Sequence, residues 1–339
     1  MGRNSHGKMS NMRVLKLSDV QQALSMREAI EIVKQAFAEL SLGSALSPLR
    51  LAIPQAKHDG LTLFMPAYLE NADALAVKIA AIHNRNSELG LPRIHALVAV
   101  MDPQTGQPAA VMEGGYLTAL RTGAASGAAT DFLARSDAEV AAIFGAGKQA
   151  RQQVLAVAAV RSIKRFWVYA RRPEMAEALI AEMQSQVTAE LRVASSPADA
   201  VRDADVICAA TNSRTPVFNG HDLKPGTHIN AIGSYTHEMQ EVDFATLRRA
   251  SKIVVDQRQA ALAEAGDLIL AINRGQIRAE DIYAELGEIA AGRKPGREQE
   301  HEITYFKSVG NAVQDAAVAQ AVYRAALQKN LGTDLDLMG

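Results

Sequence analysis

Three basic residues stand where apolar side chains would be expected, and their types suit the capture of an anion. Arg50 opens the apolar run Leu-Arg-Leu-Ala-Ile-Pro, Lys78 interrupts Val-Lys-Ile-Ala-Ala-Ile, and Arg121 lies in the small-residue stretch Thr-Ala-Leu-Arg-Thr-Gly. A buried cation without a partner is costly, so either these side chains reach solvent or an anion meets them. A small carboxylate would satisfy all three together, because a guanidinium offers forked donors to both carboxylate oxygens.

A second pattern is local. Ala138–Phe144 reads as a short apolar strand, Gly145-Ala-Gly-Lys-Gln-Ala150 as a G-x-G-x-x-A turn, and Gln149–Val160 as a helix opening at the end of that turn. In this arrangement Gly145 takes the tight turn, Gly147 lets a pyrophosphate approach the backbone, and Ala150 keeps helix and strand close. The helix start then presents free N–H groups and a positive dipole end to the phosphates. A second β-rich strand, Arg165–Ala170, ends where an NAD-selective fold carries an acid for the ribose hydroxyls. Here the residues are Ala170, Arg171 and Arg172. The arginine pair predicts NADP(H) as the preferred cofactor, with NAD(H) as the alternative.

These groups need elements to position them. Ahead of the glycine turn, Met26–Leu42 has helical apolar spacing. Leu49–Pro54, Leu61–Tyr68, Ala74–Ile82 and Ala96–Asp102 read as strands, and Leu117–Leu133 as a small-residue helix. Beyond Arg172, a helix at Pro173–Gln186 precedes strands at Leu191–Ala194, Val206–Thr211, Thr227–Gly233 and Lys252–Val255. Alternation of this kind predicts an α/β protein with a Rossmann-type doubly wound parallel sheet. Glu302–Leu327 reads as a turn followed by a long helix that completes an α+β N-terminal domain. The expected division is a leader at 1–11, disordered, then a substrate-binding and dimerisation domain at 12–130 plus 307–339, and a dinucleotide domain at 131–306.

Composition narrows the field. A chain of 339 residues with 48% hydrophobic residues has length for about two domains. A net charge of -1 gives no general attraction to nucleic acid or anionic membrane. The eight histidines show no metal-ligand spacing, and no G-x-S-x-G elbow occurs. Cys208 is the single cysteine, within an apolar run, and reads as a structural thiol rather than a nucleophile. No apolar run of membrane-spanning length and no signal-type segment is found, so a cytoplasmic enzyme is expected.

Several motifs in order along the chain carry a resemblance. Ala-Val-Lys-Ile-Ala-Ala-Ile-His-Asn-Arg-Asn86, Gly115-Tyr-Leu-Thr-Ala-Leu-Arg-Thr-Gly123, Gly-Ala-Gly-Lys-Gln-Ala-Arg151, Ala-Ala-Thr-Asn-Ser-Arg-Thr-Pro-Val217, Ile-Asn-Ala-Ile-Gly-Ser234 and Ile-Thr-Tyr-Phe-Lys-Ser-Val-Gly-Asn-Ala-Val-Gln-Asp315 resemble the ornithine cyclodeaminase/μ-crystallin family. That family includes cyclodeaminases, ketimine reductases such as Δ1-pyrroline-2-carboxylate reductase, and NAD(P)-dependent amino-acid dehydrogenases. The resemblance implies a homodimer, as does an N-terminal sheet that reads as too small to close alone. It also implies that Arg50, Lys78 and Arg121 clamp the substrate carboxylate, with Lys78 and Arg121 as the catalytic pair and Lys78 donating or relaying a proton. Arg121 and Thr122 would contact cofactor phosphate and ribose, and Lys148 and Gln149 the pyrophosphate. Thr211, Ile232, Gly233, Ser234 and Ser308 would line the dinucleotide, and Val309 would reach the substrate.

One departure bears on the reaction. Ornithine-cyclising members carry an acid soon after the Ile-Asn-Ala turn, where this chain has Tyr235, and their following lysine falls on Met239. Cyclisation needs an acid/base at the substrate amine, whereas imine reduction mainly needs positioning. The expected activity is therefore reduction of a small cyclic ketimine carboxylate by NAD(P)H. His237 and Glu238 stand as further proton-relay candidates. The alternatives are an L-amino-acid dehydrogenase or acyclic imino-acid reductase, then a non-catalytic NADP(H)-dependent binding protein, with ornithine cyclisation last.

Overall fold

Runs of four or five apolar residues recur through the second half of the chain, too short for helices and with no polar alternation. Such runs form strands covered on both faces. In the computed structural model, which describes residues 11–337, they build one eight-stranded sheet together with more polar strands such as the exposed edge strand Glu190–Val193. Its order is Glu190–Val193, Arg165–Tyr169, Val140–Phe144, Val206–Ala209, His228–Ala231, Thr304–Lys307, Lys252–Val255 and Ile282–Glu285. Every pairing is parallel. From Val140–Phe144 the chain steps outward through two strands on one side, then returns to place Val206–Ala209 on the other. The reversal between these two central strands is the point at which doubly wound sheets bind ligands, beyond the carboxyl ends.

The stretch read from sequence as a turn before the last helix is in part a strand. Thr304–Lys307 is fully buried and inserts between His228–Ala231 and Lys252–Val255. Its four residues include a threonine and a lysine, so its burial is not visible in local hydropathy. The helix follows at Ala312–Lys329.

The chain divides into two units, at boundaries other than those expected. One comprises the chain up to Ser25, Gly43–Thr118, and the chain from Ala312; the other comprises Met26–Leu42 and Ala119–Asn311. The helix Met26–Leu42, expected in the substrate domain, thus groups with the parallel sheet. Glycines account for this: a Cβ at Gly123 would lie 2.9 Å from the Met26 side chain, and one at Gly127 would overlap Ile30. Residues 1–10, nearly all of the expected leader, lie outside the described residues.

The first unit carries a second eight-stranded sheet, in the order Thr333–Leu335, Met12–Leu15, Pro108–Glu113, Ile94–Met101, Ala74–His83, Gly60–Leu69 and Ala45–Leu46, with Leu51–Gln55 also paired to Gly60–Leu69. It is antiparallel except where Met12–Leu15 runs parallel to Pro108–Glu113. The sheet is therefore larger than the four strands read from sequence, and its size is no argument for a partner copy. Strand Ala74–His83 alternates, with Ala74, Ala76, Lys78 and Ala80 buried. Helix Ala312–Lys329 packs on this strand and its two neighbours. Among the described residues no helix is long and apolar enough to cross a membrane.

One buried histidine ties this core to pH. His228 has no solvent exposure, and its ring contacts Thr304 Oγ1 at 2.9 Å and Asn230 Oδ1 at 3.1 Å. Burial, aided by Arg297, lowers its pKa from 6.5 to about 3. The unfolded chain therefore binds a proton that the folded chain refuses across that interval. Stability should fall as pH drops from 6.5 towards 3, with this residue contributing up to about 1.4 kcal/mol per pH unit. Urea midpoints measured between pH 4 and 7 should show a shallower slope for His228→Gln than for the parent chain.

Candidate functional site

At the end of strand Val140–Phe144 the backbone turns sharply. Gly145 has φ +104°, and its N–H donates to the Tyr169 carbonyl at 2.9 Å. A Cβ there would sit 2.6 Å from the Ala210 oxygen, so glycine is required twice, by dihedral and by space. Gly147 differs. Its φ is -84° and a Cβ would meet no protein atom within 4 Å, so packing does not explain its lack of a side chain. The open space in front of it is what a pyrophosphate approaching the backbone requires.

Gly147 is also the N-cap of helix Lys148–Val160 and supplies no capping side chain. The first-turn N–H groups therefore lack a side-chain acceptor and form an anion site. Lys148 is exposed beside them, and Ala150 is fully buried against the strand. The Gln149 Oε1 atom is buried without a hydrogen-bond partner. Arg151 stiffens the turn from behind, donating Nη1 to the Ala146 and Gly147 carbonyls and Nε to Glu182. On the neighbouring strand Arg165–Tyr169, the chain leaves through Ala170 to Arg171 and Arg172, both exposed. Arg172 has only a loose contact with Glu174, at 3.8 Å.

Across the reversal point, a buried acid joins the next two strand ends. Glu241 Oε1 accepts from Thr211 N–H at 2.6 Å and Thr211 Oγ1 at 2.8 Å. Its Oε2 accepts from Gly233 N–H at 2.6 Å and Ser234 N–H at 3.0 Å. A Cβ on Gly233 would overlap the Thr211 carbonyl, so the two turns touch through bare backbone. Burial pushes the Glu241 carboxyl above its usual range, while Lys307 and the Thr211 donors pull against that shift. Asp267 holds Glu241 in turn, accepting its backbone N–H at 2.6 Å, and pairs with Lys307 at 2.9 Å with both side chains fully buried.

The returning segment is fixed in the same way. Asp256 Oδ2 accepts from Ser308 Oγ at 2.8 Å, Val309 N–H at 2.9 Å and Gly310 N–H at 2.8 Å. Gly310 has φ +87°, and a Cβ there would lie 2.5 Å from an Arg121 guanidinium nitrogen. The Nη edge of the Arg121 guanidinium therefore closes on this glycine. Arg121, Thr122, Ile232, Ser234, Ser308 and Val309 are all buried. The Ser234 hydroxyl donates to the Met239 carbonyl at 2.8 Å, so it is engaged within the turn.

In the other unit, Lys78 is 3% exposed and meets Asp315 at 2.7 Å, itself 1% exposed. This corrects the premise that Lys78 needs an anion from outside the chain. Removing the lysine alone would break this buried ion pair, at a cost of about 3–5 kcal/mol. Arg50 directly precedes Leu51, which pairs with Phe64, and the next rung joins Met65 to Lys78. The backbone register thus sets Arg50 and Lys78 about 10 Å apart, two strand spacings along one rung.

The remaining candidates differ in setting. Tyr235 is partly buried against the apolar core. His237 is exposed, and its Nε2 lies 2.6 Å from the Ala263 carbonyl; Glu238 is exposed. Burial pushes the Cys208 thiol up to about 12, which removes it as a nucleophile at neutral pH. Sequence reasoning missed Glu241, Asp256, Asp267, Lys307 and Asp315 as organising groups. The available signal was weak: acids and a lysine within or at the ends of apolar runs, of the kind that drew attention to Lys78.

Because Gly147 faces open space at an ordinary φ, Gly147→Ala should leave the melting temperature of the free protein unchanged within about 2 °C. It should weaken NADH binding about tenfold or more by blocking the pyrophosphate, which is about 1.4 kcal/mol. Calorimetric titration and thermal melts of the same preparation check both halves.

The geometry has counterparts among known proteins. The ornithine cyclodeaminase/mu-crystallin family model matches residues 10–330. A Δ1-pyrroline-2-carboxylate reductase of Bacillus cereus is 40% identical over 325 residues, covering 96% of this chain and 100% of its own. The solved Δ1-pyrroline-2-carboxylate reductase of Thermococcus litoralis, in complex with NADH and L-proline, aligns with a TM-score of 0.91 and 44% identity, covering 96% of this chain and 100% of its own. An archaeal alanine dehydrogenase dimer with bound NAD aligns with a TM-score of 0.90 and 37% identity, over 97% of this chain and 100% of its own. A glycine turn shaped for a pyrophosphate, two strand-end turns clamped by one acid, and full-length similarity of this degree place the chain in the ornithine cyclodeaminase/mu-crystallin family.

Proposed function

We propose that this chain is an NAD(P)H-dependent reductase of small cyclic ketimine carboxylates, converting Δ1-pyrroline-2-carboxylate or its six-membered homologue to L-proline or L-pipecolate in the cytoplasm. The observation that carries the reading is full-length similarity to two pyrroline-2-carboxylate reductases, one of them holding NADH and L-proline. The strand-end turn supports it: by the family resemblance, Tyr235 falls where ornithine-cyclising members carry their acid.

A bound nicotinamide supplies the hydride that reduces the C=N carbon. The chain's own part is to hold the substrate and handle one proton. In this reading Arg50, Lys78 and Arg121 receive the carboxylate, with Arg50 and Lys78 presented along one rung of their sheet. Lys78 meets Asp315 at 2.7 Å. In this reading Lys78 is a proton donor and an anion partner, and it or water protonates the substrate nitrogen. Val309, held by Asp256, borders the substrate.

The exposed pair Arg171-Arg172, just beyond the strand end where a dinucleotide fold usually carries its ribose-binding acid, supports a preference for NADP(H). A homodimer also belongs to this reading. One sheet face leaves Leu51, Ile53 and Leu97 exposed beside Phe64 and Ile79, and the similar alanine dehydrogenase is a dimer. That relative also favours a second reading, oxidation of an acyclic L-amino acid.

Steady-state assays with NADPH and freshly generated pyrroline-2-carboxylate test the first reading, with L-proline and L-alanine compared as oxidation substrates. Arg50→Ala should raise the imine KM about tenfold or more, about 1.4 kcal/mol. Parent turnover no faster than that of Lys78→Ala would sink the proposal, and faster oxidation of alanine than of proline would favour the second reading. Separately, replacing Arg171 and Arg172 with alanine should weaken NADPH at least tenfold more than NADH, each arginine–phosphate contact contributing about 1 kcal/mol or more. An unchanged ratio would refute the assignment of that pair.

A further inference from the structure

Glu241 touches no solvent, and its carboxylate is spent on four donors from two turns that follow adjacent parallel strands. Thr211 lies just beyond Val206–Ala209, and Gly233 and Ser234 lie just beyond His228–Ala231. Both turns stand on the same side of the strand reversal, and the Thr211 turn also borders Gly145, where a Cβ would meet the Ala210 carbonyl and the Thr211 side chain. The backbone of Glu241 is in turn pinned by Asp267, and Asp267 is fixed by Lys307 at the end of a third strand. Three consecutive strand ends are therefore joined by one buried chain of charge-assisted hydrogen bonds, which are roughly twice as strong as neutral ones.

We propose that Glu241 is a positioning residue for the nicotinamide half of the cofactor, setting the separation of the Thr211 and Gly233–Ser234 turns without touching the dinucleotide. The proposal rests on the reading that these two turns border the nicotinamide ribose and ring. The clamp needs a carboxylate rather than an amide. Each oxygen accepts two donors, so an amide nitrogen in place of either oxygen would face two donors and repel one turn. The glycine at 233 belongs to the same device, since any side chain there would meet the Thr211 carbonyl and force the turns apart. The Gly145–Ala150 cradle and Arg171, read as holding the pyrophosphate and adenosine, supply none of the four donors to the Glu241 carboxylate.

That separation of roles gives a test that needs no imine substrate. NADH and ADP-ribose, which lacks the nicotinamide ring, are titrated calorimetrically into the full-length parent chain and into Glu241→Gln. The expected result is about a tenfold or greater loss of NADH affinity with ADP-ribose affinity held within about twofold, so the advantage of NADH over ADP-ribose collapses. A purely structural role for Glu241 would lower the melting temperature and leave the ratio of the two affinities unchanged, which overturns the proposal. An equal loss for both ligands also overturns it. Should Glu241→Gln fail to fold, Thr211→Val removes one of the four donors. The same selective loss for NADH, smaller in size, supports the proposal, and an unaltered ratio refutes it. Because no reduction is measured, a failed ketimine assay and a failed clamp remain distinguishable.

Discussion

A carboxylate buried away from water must be met by donors, because an unpaired charge in the interior is too costly to keep. Much of the site follows from this constraint. Glu241 gathers Thr211, Gly233 and Ser234; Asp256 gathers Ser308, Val309 and Gly310; Asp267 holds Glu241 and Lys307; Asp315 meets Lys78. Glu241 and Asp256 draw irregular backbone into one arrangement beyond a strand end, where no sheet ladder continues, whereas Asp315 meets a lysine in mid-strand. Loops at strand ends would otherwise be the least determined parts of a parallel sheet, and they are the parts that meet a ligand.

Close backbone approach is the second device, and it works only where side chains are missing. Gly145 lies against Ala210, Gly233 against Thr211, and Gly310 against the edge of the Arg121 guanidinium. These three glycines are demanded by the protein's own atoms. Gly147 is demanded by none of them and leaves space for a ligand. The contrast separates glycines that build the frame from one whose open space suits the proposed approach of a phosphate.

The chemistry proposed for this family member asks little of the protein beyond placement. A ketimine already bears a polarised C=N bond, and the hydride comes from the cofactor, so rate depends on holding substrate and nicotinamide in register. Rigid clamps beneath the strand-end turns suit that demand better than mobile acid/base groups would. The lysine held beside Asp315 is in keeping, since the contact fixes where its side chain lies.

What could be read from the residues alone was the local part. The strand, glycine turn and helix around Gly145–Ala150 lie within a few residues of one another, and phosphate binding depends on backbone geometry that such a segment encodes by itself. Their order along the chain also carried the family resemblance and the parallel α/β reading. What only the tertiary structure decided were partnerships between residues far apart in sequence. Asp315 balances Lys78, Lys307 balances Asp267, and Glu241 binds turns from two strands; Thr304–Lys307 becomes a central strand although its threonine and lysine mask it. Helix Met26–Leu42 sits with the dinucleotide unit because Gly123 and Gly127 receive it. Hydropathy reports what a segment buries, whereas the partner of a buried charge is fixed by which strands become neighbours, and that is settled when the sheets assemble.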